Sequence, residues 1–112
     1  MHFRFDGSGG VQMIIVEGFV RMENVGDFEK VRAAAETQIA ASKAEGGCID
    51  YTYALDVVDP QVLRILERWQ SWGALEAHFK APHMDDWRAV LADVKFLERS
   101  LRAHEVAETR DL

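Results

Sequence analysis

A chain of 112 residues, 48% hydrophobic and 29% charged, is long enough for one domain with one core. Its net charge of −6 argues against nucleic acid and anionic membranes as partners, because both are bound by clustered cations. No apolar run approaches the roughly 20 residues that cross a bilayer. A single cysteine, Cys48, cannot form an internal disulfide, so a reducing cytoplasm is the expected compartment.

The first ten residues differ in composition from the rest. The stretch DGSGG indicates a flexible extension, or a remnant ahead of the native start, for which Met13 is the candidate. We assign no function to residues 1–10 and predict a single domain over residues 11–112.

The first strand and helix are predicted from a change of period. Residues 11–22 are β-branched and aromatic and predict a largely buried strand. From Phe28 the apolar residues follow helical spacing, with Asp27 as the predicted N-cap and the glycines at 46–47 as the stop.

Two alternating runs, 48–56 and 62–69, are joined by a turn at Asp59-Pro60 and predict a β-hairpin. One face of the first run carries Ile49, Tyr51, Tyr53 and Leu55, and one face of the second carries Leu63, Ile65, Glu67 and Trp69.

The second half of the chain predicts a broken helix and a last strand. Ser71 is the predicted N-cap of a short helix, and Pro82 ends it and starts another. Alternation at about 100–109 predicts the last strand. The order β-α-β-β-α-β predicts a ferredoxin-like α+β fold, an antiparallel four-stranded sheet with helices on one face. The bare face, with Val62 and Leu66, predicts a homodimer.

One set of residues follows a family pattern. A strand with Gly-Cys and Tyr leads to a strand ending in Glu-x-Trp, then to a helix start with Leu-x-x-His and to a second His near the next helix. The matching residues are Gly47, Cys48, Tyr51, Glu67, Trp69, Leu75, His78 and His83. Over about residues 13–109 the chain resembles the antibiotic biosynthesis monooxygenase (ABM) family, which implies a dimeric α+β barrel.

The resemblance implies a cofactor-independent monooxygenase that oxidises a small aromatic phenol or quinol with O₂. Nucleotide, phosphate-loop and haem-attachment motifs are absent from the sequence, in agreement with this hypothesis. An isomerase or degradative enzyme for a small oxygenated metabolite and a non-catalytic small-molecule binder remain alternatives. The haem-degrading branch is not indicated: its Asn is missing from residues 11–22, and His78 and Arg88 stand about where its Trp and His would be.

Three polar residues are the catalytic candidates. His78 is the predicted base or anchor, because imidazole titrates near neutral pH; the alternative is a structural His bonded to a carbonyl or to Glu67. Glu67, on an apolar face, is predicted to orient His78. His83 is predicted either to join the pocket or to cap a packed corner. We expect all three to converge on one cavity between the sheet and the broken helix.

No metal site is predicted, because His78 and His83 are five residues apart with Pro82 between them, and no Cys lies nearby. The predicted substrate-binding wall is aromatic, although most tryptophans at such spacing belong to a core. Its members are Trp69, Tyr51, Tyr53, Trp72 and Trp87.

Overall fold

A computed structural model describes residues 13–112; the predicted N-terminal extension, residues 1–10, and the predicted strand residues 11 and 12 lie outside them. The strands are β1 (Ile14–Met22), β2 (Cys48–Leu55), β3 (Val62–Trp69) and β4 (Phe96–Glu105). The helices are α1 (Arg32–Lys43), which follows a 3₁₀ turn at Asp27–Lys30, then α2 (Trp72–Phe79) and α3 (Pro82–Leu91).

The four strands form one antiparallel sheet in the order β2-β3-β1-β4. In the centre, Val16 of β1 lies opposite Glu67 of β3 on one side and Ala103 of β4 on the other. The predicted ferredoxin-like α+β fold is confirmed. No helix in residues 13–112 is long and apolar enough to cross a membrane.

The predicted alternation holds in β3 and is interrupted in β2. Leu63, Ile65, Glu67 and Trp69 are all buried. In β2 the register shifts between Cys48 and Asp50, so that Cys48 pairs with Trp69 and packs against the core, while Ile49 is 47% exposed. The assignment of Ile49 to the face of Tyr51 is therefore wrong, because a bulge of one residue reverses the side chain's face.

Two predicted boundaries are also corrected. Asp27 does not cap α1: its carboxylate accepts the backbone N–H of Asn24 at 2.9 Å, and α1 begins after Val31. The last strand begins at Phe96 rather than near residue 100, because its pairing with β1 extends to Met22.

The break between α2 and α3 follows the prediction. The Ser71 hydroxyl accepts the N–H of Ala74 at 3.1 Å, and Pro82 stands in the first turn of α3. A proline fits there because that backbone N–H has no partner within the helix. The short connection between the two helices keeps His78 and His83 close together.

The core consists of two apolar clusters on the inner face of the sheet. The first contains Val20, Met22, Phe28, Ala35, Leu63, Ile65 and Trp87. The second contains Ile14, Val16, Tyr51, Trp69 and Leu75. The candidate site lies where the two clusters meet.

Candidate active site

A cavity of about 220 Å³ lies between the sheet and the helices. Most of its wall is aliphatic or aromatic. The uncharged polar and acidic groups in the wall are Tyr51, Tyr53, Glu67 and His78, and two cationic residues, Arg88 and Arg99, also line it. A mostly apolar cavity with a few convergent polar groups is typical of a small-molecule site.

Glu67 is held on the inner face of β3, where it is 6% exposed. Burial raises the pKa of its carboxyl group to about 6; a hydrogen bond from Trp69 opposes that increase, and the nearby charge of Glu45 adds to it. The indole Nε1–H of Trp69 donates to Oε1 at 2.9 Å. A carboxyl group with a raised pKa in a cavity wall is suited to proton transfer near neutral pH.

His78, in the last turn of α2, is 1% exposed and lines the same cavity. Its Nδ1 lies 2.7 Å from Glu45 Oε2. An ionised carboxylate only accepts hydrogen bonds, so Nδ1 carries the proton. Burial lowers the pKa of the imidazole, with Glu45 opposing that effect. A neutral ring then leaves a lone pair on Nε2.

The carboxylate partner of His78 differs from the predicted one. Glu45 in the turn after α1, not Glu67, makes the hydrogen bond to the imidazole, so the orienting role predicted for Glu67 is corrected. The sequence gives one signal for Glu45. It stands just beyond the C-terminus of α1, where the helix dipole disfavours a carboxylate unless a donor compensates it.

His83, in the first turn of α3, joins the site through Glu45. Its Nε2 lies 2.8 Å from Glu45 Oε2, and its Nδ1 lies 2.7 Å from Gln38 Oε1. Glu67 and His78 share a cavity, as predicted, but His83 is not part of its wall. One ligand atom each from Glu45, His78 and His83 lie within 4.8 Å of one another, so these residues could hold a metal ion. The sequence-based expectation did not include this third ligand.

Three of the five predicted aromatic residues line the cavity: Tyr51, Tyr53 and Trp87. The two phenol oxygens are 2.9 Å apart, and Tyr53 stacks on Trp87 with ring centroids 6.0 Å apart. Burial raises the pKa of Tyr51 to about 12 and also raises that of Tyr53. Both phenols therefore stay protonated at neutral pH and can donate hydrogen bonds.

The other two aromatic residues lie elsewhere. Trp69 is fully buried beneath His78, with ring centroids 4.5 Å apart, and forms part of the core. Trp72 is 39% exposed, and its Nε1–H donates to Glu105 Oε1 at 3.0 Å. Neither lines the cavity, so their predicted place in its wall is corrected.

With the geometry established, comparison with known proteins identifies the class. The family model described as "Antibiotic biosynthesis monooxygenase" matches residues 13–90. That range covers Glu45 and the strand and two helices that carry Glu67, His78 and His83. The chain belongs to the ABM family.

Individual proteins are similar to this chain over most of its length. A conserved protein of unknown function from Bacteroides thetaiotaomicron is 32% identical, with a TM-score of 0.74 over 85% of this chain and 98% of that one. A structure from Deinococcus radiodurans, whose own assignment as an antibiotic biosynthesis monooxygenase is provisional, has a TM-score of 0.79 at 21% identity, over 88% of this chain and 97% of that one. An uncharacterized protein of Synechocystis sp. is 26% identical over 96% of this chain and 72% of its own length.

Proposed function

We propose that the protein is a monooxygenase that oxidises a small aromatic phenol or quinol with O₂ and without a cofactor. The observation that carries this proposal is that a carboxyl group, Glu67, and an imidazole, His78, share the wall of an otherwise largely apolar cavity. Membership of the ABM family supports monooxygenation as the reaction class.

The cavity's size and wall favour a flat, apolar substrate. Its volume of about 220 Å³ exceeds the roughly 150 Å³ of an engineered apolar cavity that binds benzene. The stacked rings of Tyr53 and Trp87 offer a planar surface. A substrate with a single aromatic ring or with two fused rings fits these dimensions. Its ring would stack in an offset arrangement on Tyr53 or Trp87, as aromatic pairs in proteins prefer.

The polar groups supply the proton chemistry. Glu67 takes the proton of the substrate hydroxyl, while the Nε2 lone pair of His78 accepts a hydrogen bond from the substrate and orients it. The resulting phenolate is electron-rich and gives its electrons to O₂. One oxygen atom becomes bonded to a ring carbon and the other leaves as water with the ring hydrogen and the hydroxyl proton. A phenol is thereby converted to a quinone, and no external reductant is consumed.

The test uses chelator-treated protein and a panel of one- and two-ring phenols and quinols. We expect O₂ uptake with at least one of them, and with ¹⁸O₂ we expect one labelled atom in the quinone and one in water. Glu67→Gln keeps an acceptor for Trp69 but cannot take the proton, so it should lower turnover by about 10²–10⁴-fold. Activity that requires an added metal would contradict cofactor independence.

The same assay separates the alternative functions. Solvent deuterium entering a carbon–hydrogen bond of a ligand, without O₂ uptake, would instead support an isomerase. Quenching of tryptophan fluorescence by ligands that undergo neither reaction would support a binding protein. Either result would overturn the monooxygenase proposal.

We also propose a homodimer formed through the outer face of the sheet. Ile15, Phe19 and Leu66 are half-buried on that face, which no helix of residues 13–112 covers, whereas Val62, which was also predicted there, is only 3% exposed. We expect light scattering at micromolar concentration to give twice the mass of one chain, and Leu66→Glu to shift the mass towards one chain. A monomer in the unaltered protein would contradict the proposal.

A further inference from the structure

We propose that Glu45, His78 and His83 form a binding site for a divalent transition-metal ion of the Zn²⁺ class. The ligand atoms would be His78 Nδ1, His83 Nε2 and a carboxylate oxygen of Glu45, which lie within 4.8 Å of one another. Imidazole nitrogen and carboxylate oxygen are the donors that zinc takes besides thiolate.

The separations need little change to admit an ion. The two nitrogens lie 2.7 and 2.8 Å from the same carboxylate oxygen, Glu45 Oε2. Ligands at about 2.1 Å from a tetrahedral ion are about 3.4 Å apart. Each nitrogen would therefore move away from Glu45 Oε2 by about 0.6–0.7 Å to admit an ion.

The hydrogen bonds of His83 give the second, independent argument. Its Nδ1 faces the amide oxygen of Gln38, which only accepts, so Nδ1 carries a proton. Gln38 is 2% exposed, and its amide nitrogen is directed at Ser42 Oγ and Tyr51 Oη, each at 3.2 Å. The orientation of this amide is thus part of a buried network.

With Nδ1 directed at Gln38, Nε2 is the nitrogen of His83 that faces Glu45. It lies 2.8 Å from the same Glu45 oxygen that His78 Nδ1 approaches at 2.7 Å. A metal ion among the three groups would bind one atom of each residue at once.

Gln38 would then orient His83 as a metal ligand. The ring nitrogen that does not bind metal usually donates to a carbonyl or carboxylate, which fixes the tautomer and the ring's orientation. The three ligands come from the turn after α1, the last turn of α2 and the first turn of α3. Three protein ligands leave a fourth position for water or a small molecule.

This inference does not depend on the proposed oxidation. An ion on Nδ1 of His78 would leave the remaining ring proton on Nε2. That nitrogen would then donate a hydrogen bond instead of accepting one. Ion-loaded and ion-free protein therefore differ at the cavity wall, but ion binding itself is measured without any substrate.

The test is calorimetric titration of the chelator-stripped full chain with Zn²⁺. We expect one ion per chain and at least about 100-fold weaker binding in Glu45→Gln and in His83→Ala. Gln38→Ala, which removes the supporting acceptor, should weaken binding by about 10–100-fold. With Co²⁺ as a probe, visible absorption bands should report tetrahedral coordination and disappear in His83→Ala.

Two matched controls make the result decisive. His104→Ala removes an exposed histidine that also contacts a glutamate, and His2→Ala removes one outside the described residues; neither should alter the affinity. Circular dichroism establishes that each variant is folded. Absence of stoichiometric binding, or binding that survives both Glu45→Gln and His83→Ala, would overturn the proposal.

Discussion

Two histidine–glutamate contacts of nearly the same length lie on opposite sides of the sheet. On the helix-covered side, His78 Nδ1 is 2.7 Å from Glu45 Oε2. On the outer face, His104 Nε2 is 2.8 Å from Glu17 Oε2. The side chains of the first pair are 1% and 20% exposed, and those of the second are 52% and 50% exposed.

The difference shows that burial, more than bond length, decides what such a contact can do. Water can replace either partner of the outer pair, so the contact between them contributes little to the free energy of unfolding. His78 has no such replacement: its ring is enclosed by Trp69, Tyr51 and Phe79. Its tautomer is therefore fixed by Glu45, and its second nitrogen is available to a ligand in the cavity.

The largest contrast between the two pairs is expected in turnover. His78→Asn places an amide N–H near the position of Nδ1, which preserves a donor to Glu45, but removes Nε2. With a substrate identified by O₂ uptake, we expect this variant to lose about 10²-fold in turnover, because the substrate loses the acceptor that orients it. His104→Asn should retain full turnover. Equal losses of turnover in the two variants would show that the buried and the exposed histidine do not differ in function.

Stability should separate the two glutamates next. Glu45→Ala leaves the buried Nδ1–H of His78 without an acceptor, which costs about 1–3 kcal/mol. Glu17→Ala removes a half-exposed contact and should change the free energy of unfolding by less than about 0.5 kcal/mol. Urea denaturation of both variants under the same conditions measures the two values. A Glu45→Ala variant as stable as Glu17→Ala would show that water reaches His78.

The inner face of the sheet could be predicted from the sequence because a period of two leaves few alternatives. Shifting β3 by one residue would expose Leu63, Ile65 and Trp69 together, so the same pattern that buries them also buries Glu67. The break at Pro82 was predictable for an equally local reason, the missing N–H of proline. Bulges were not predictable, since the shift at Cys48 depends on pairing with β3.

The partner of His78 could not be predicted from spacing. Glu45 is separated from His78 by 33 positions and from His83 by 38, and only the packing of α1 against β2 and α3 brings them together. The exclusion of Trp69 from the cavity wall has a similar origin. Alternation places Trp69 on the inner face, but the position of α2 decides whether that face is covered by His78 or open to the cavity.

Glu67 and Glu17 lie on adjacent strands and on opposite faces of the sheet. The pKa of Glu67 is raised from 4.5 to about 6, so the folded state holds the proton more tightly than the unfolded chain does. Its contribution to stability is therefore greatest below pH 4.5 and falls as pH rises through about 6. A shift of this size corresponds to about 2 kcal/mol.

The measurement is the difference in unfolding free energy between Glu67→Gln and the unaltered protein across this pH range. We expect the variant to gain up to about 2 kcal/mol relative to the unaltered protein between pH 4.5 and 7. Glu17→Gln serves as the matched control and should show no comparable gain. A constant difference for Glu67→Gln would mean that its carboxyl group is solvated in the folded state.

The smallest expected effect is the coupling free energy between Glu17 and His104, the pair on the outer face of the sheet. A double-mutant cycle with Glu17→Ala and His104→Ala should give a coupling free energy below about 1 kcal/mol in dilute buffer, because both side chains are about half exposed. About 1 M NaCl shortens the Debye length to about 3 Å and should bring the coupling towards zero. The corresponding cycle for Glu45 and His78 should change little with salt, because ions do not enter the space around a ring that is 1% exposed. Equal salt sensitivity in the two cycles would mean that the inner pair is as accessible to solvent as the outer one, and the contrast between the two sides of the sheet would not hold.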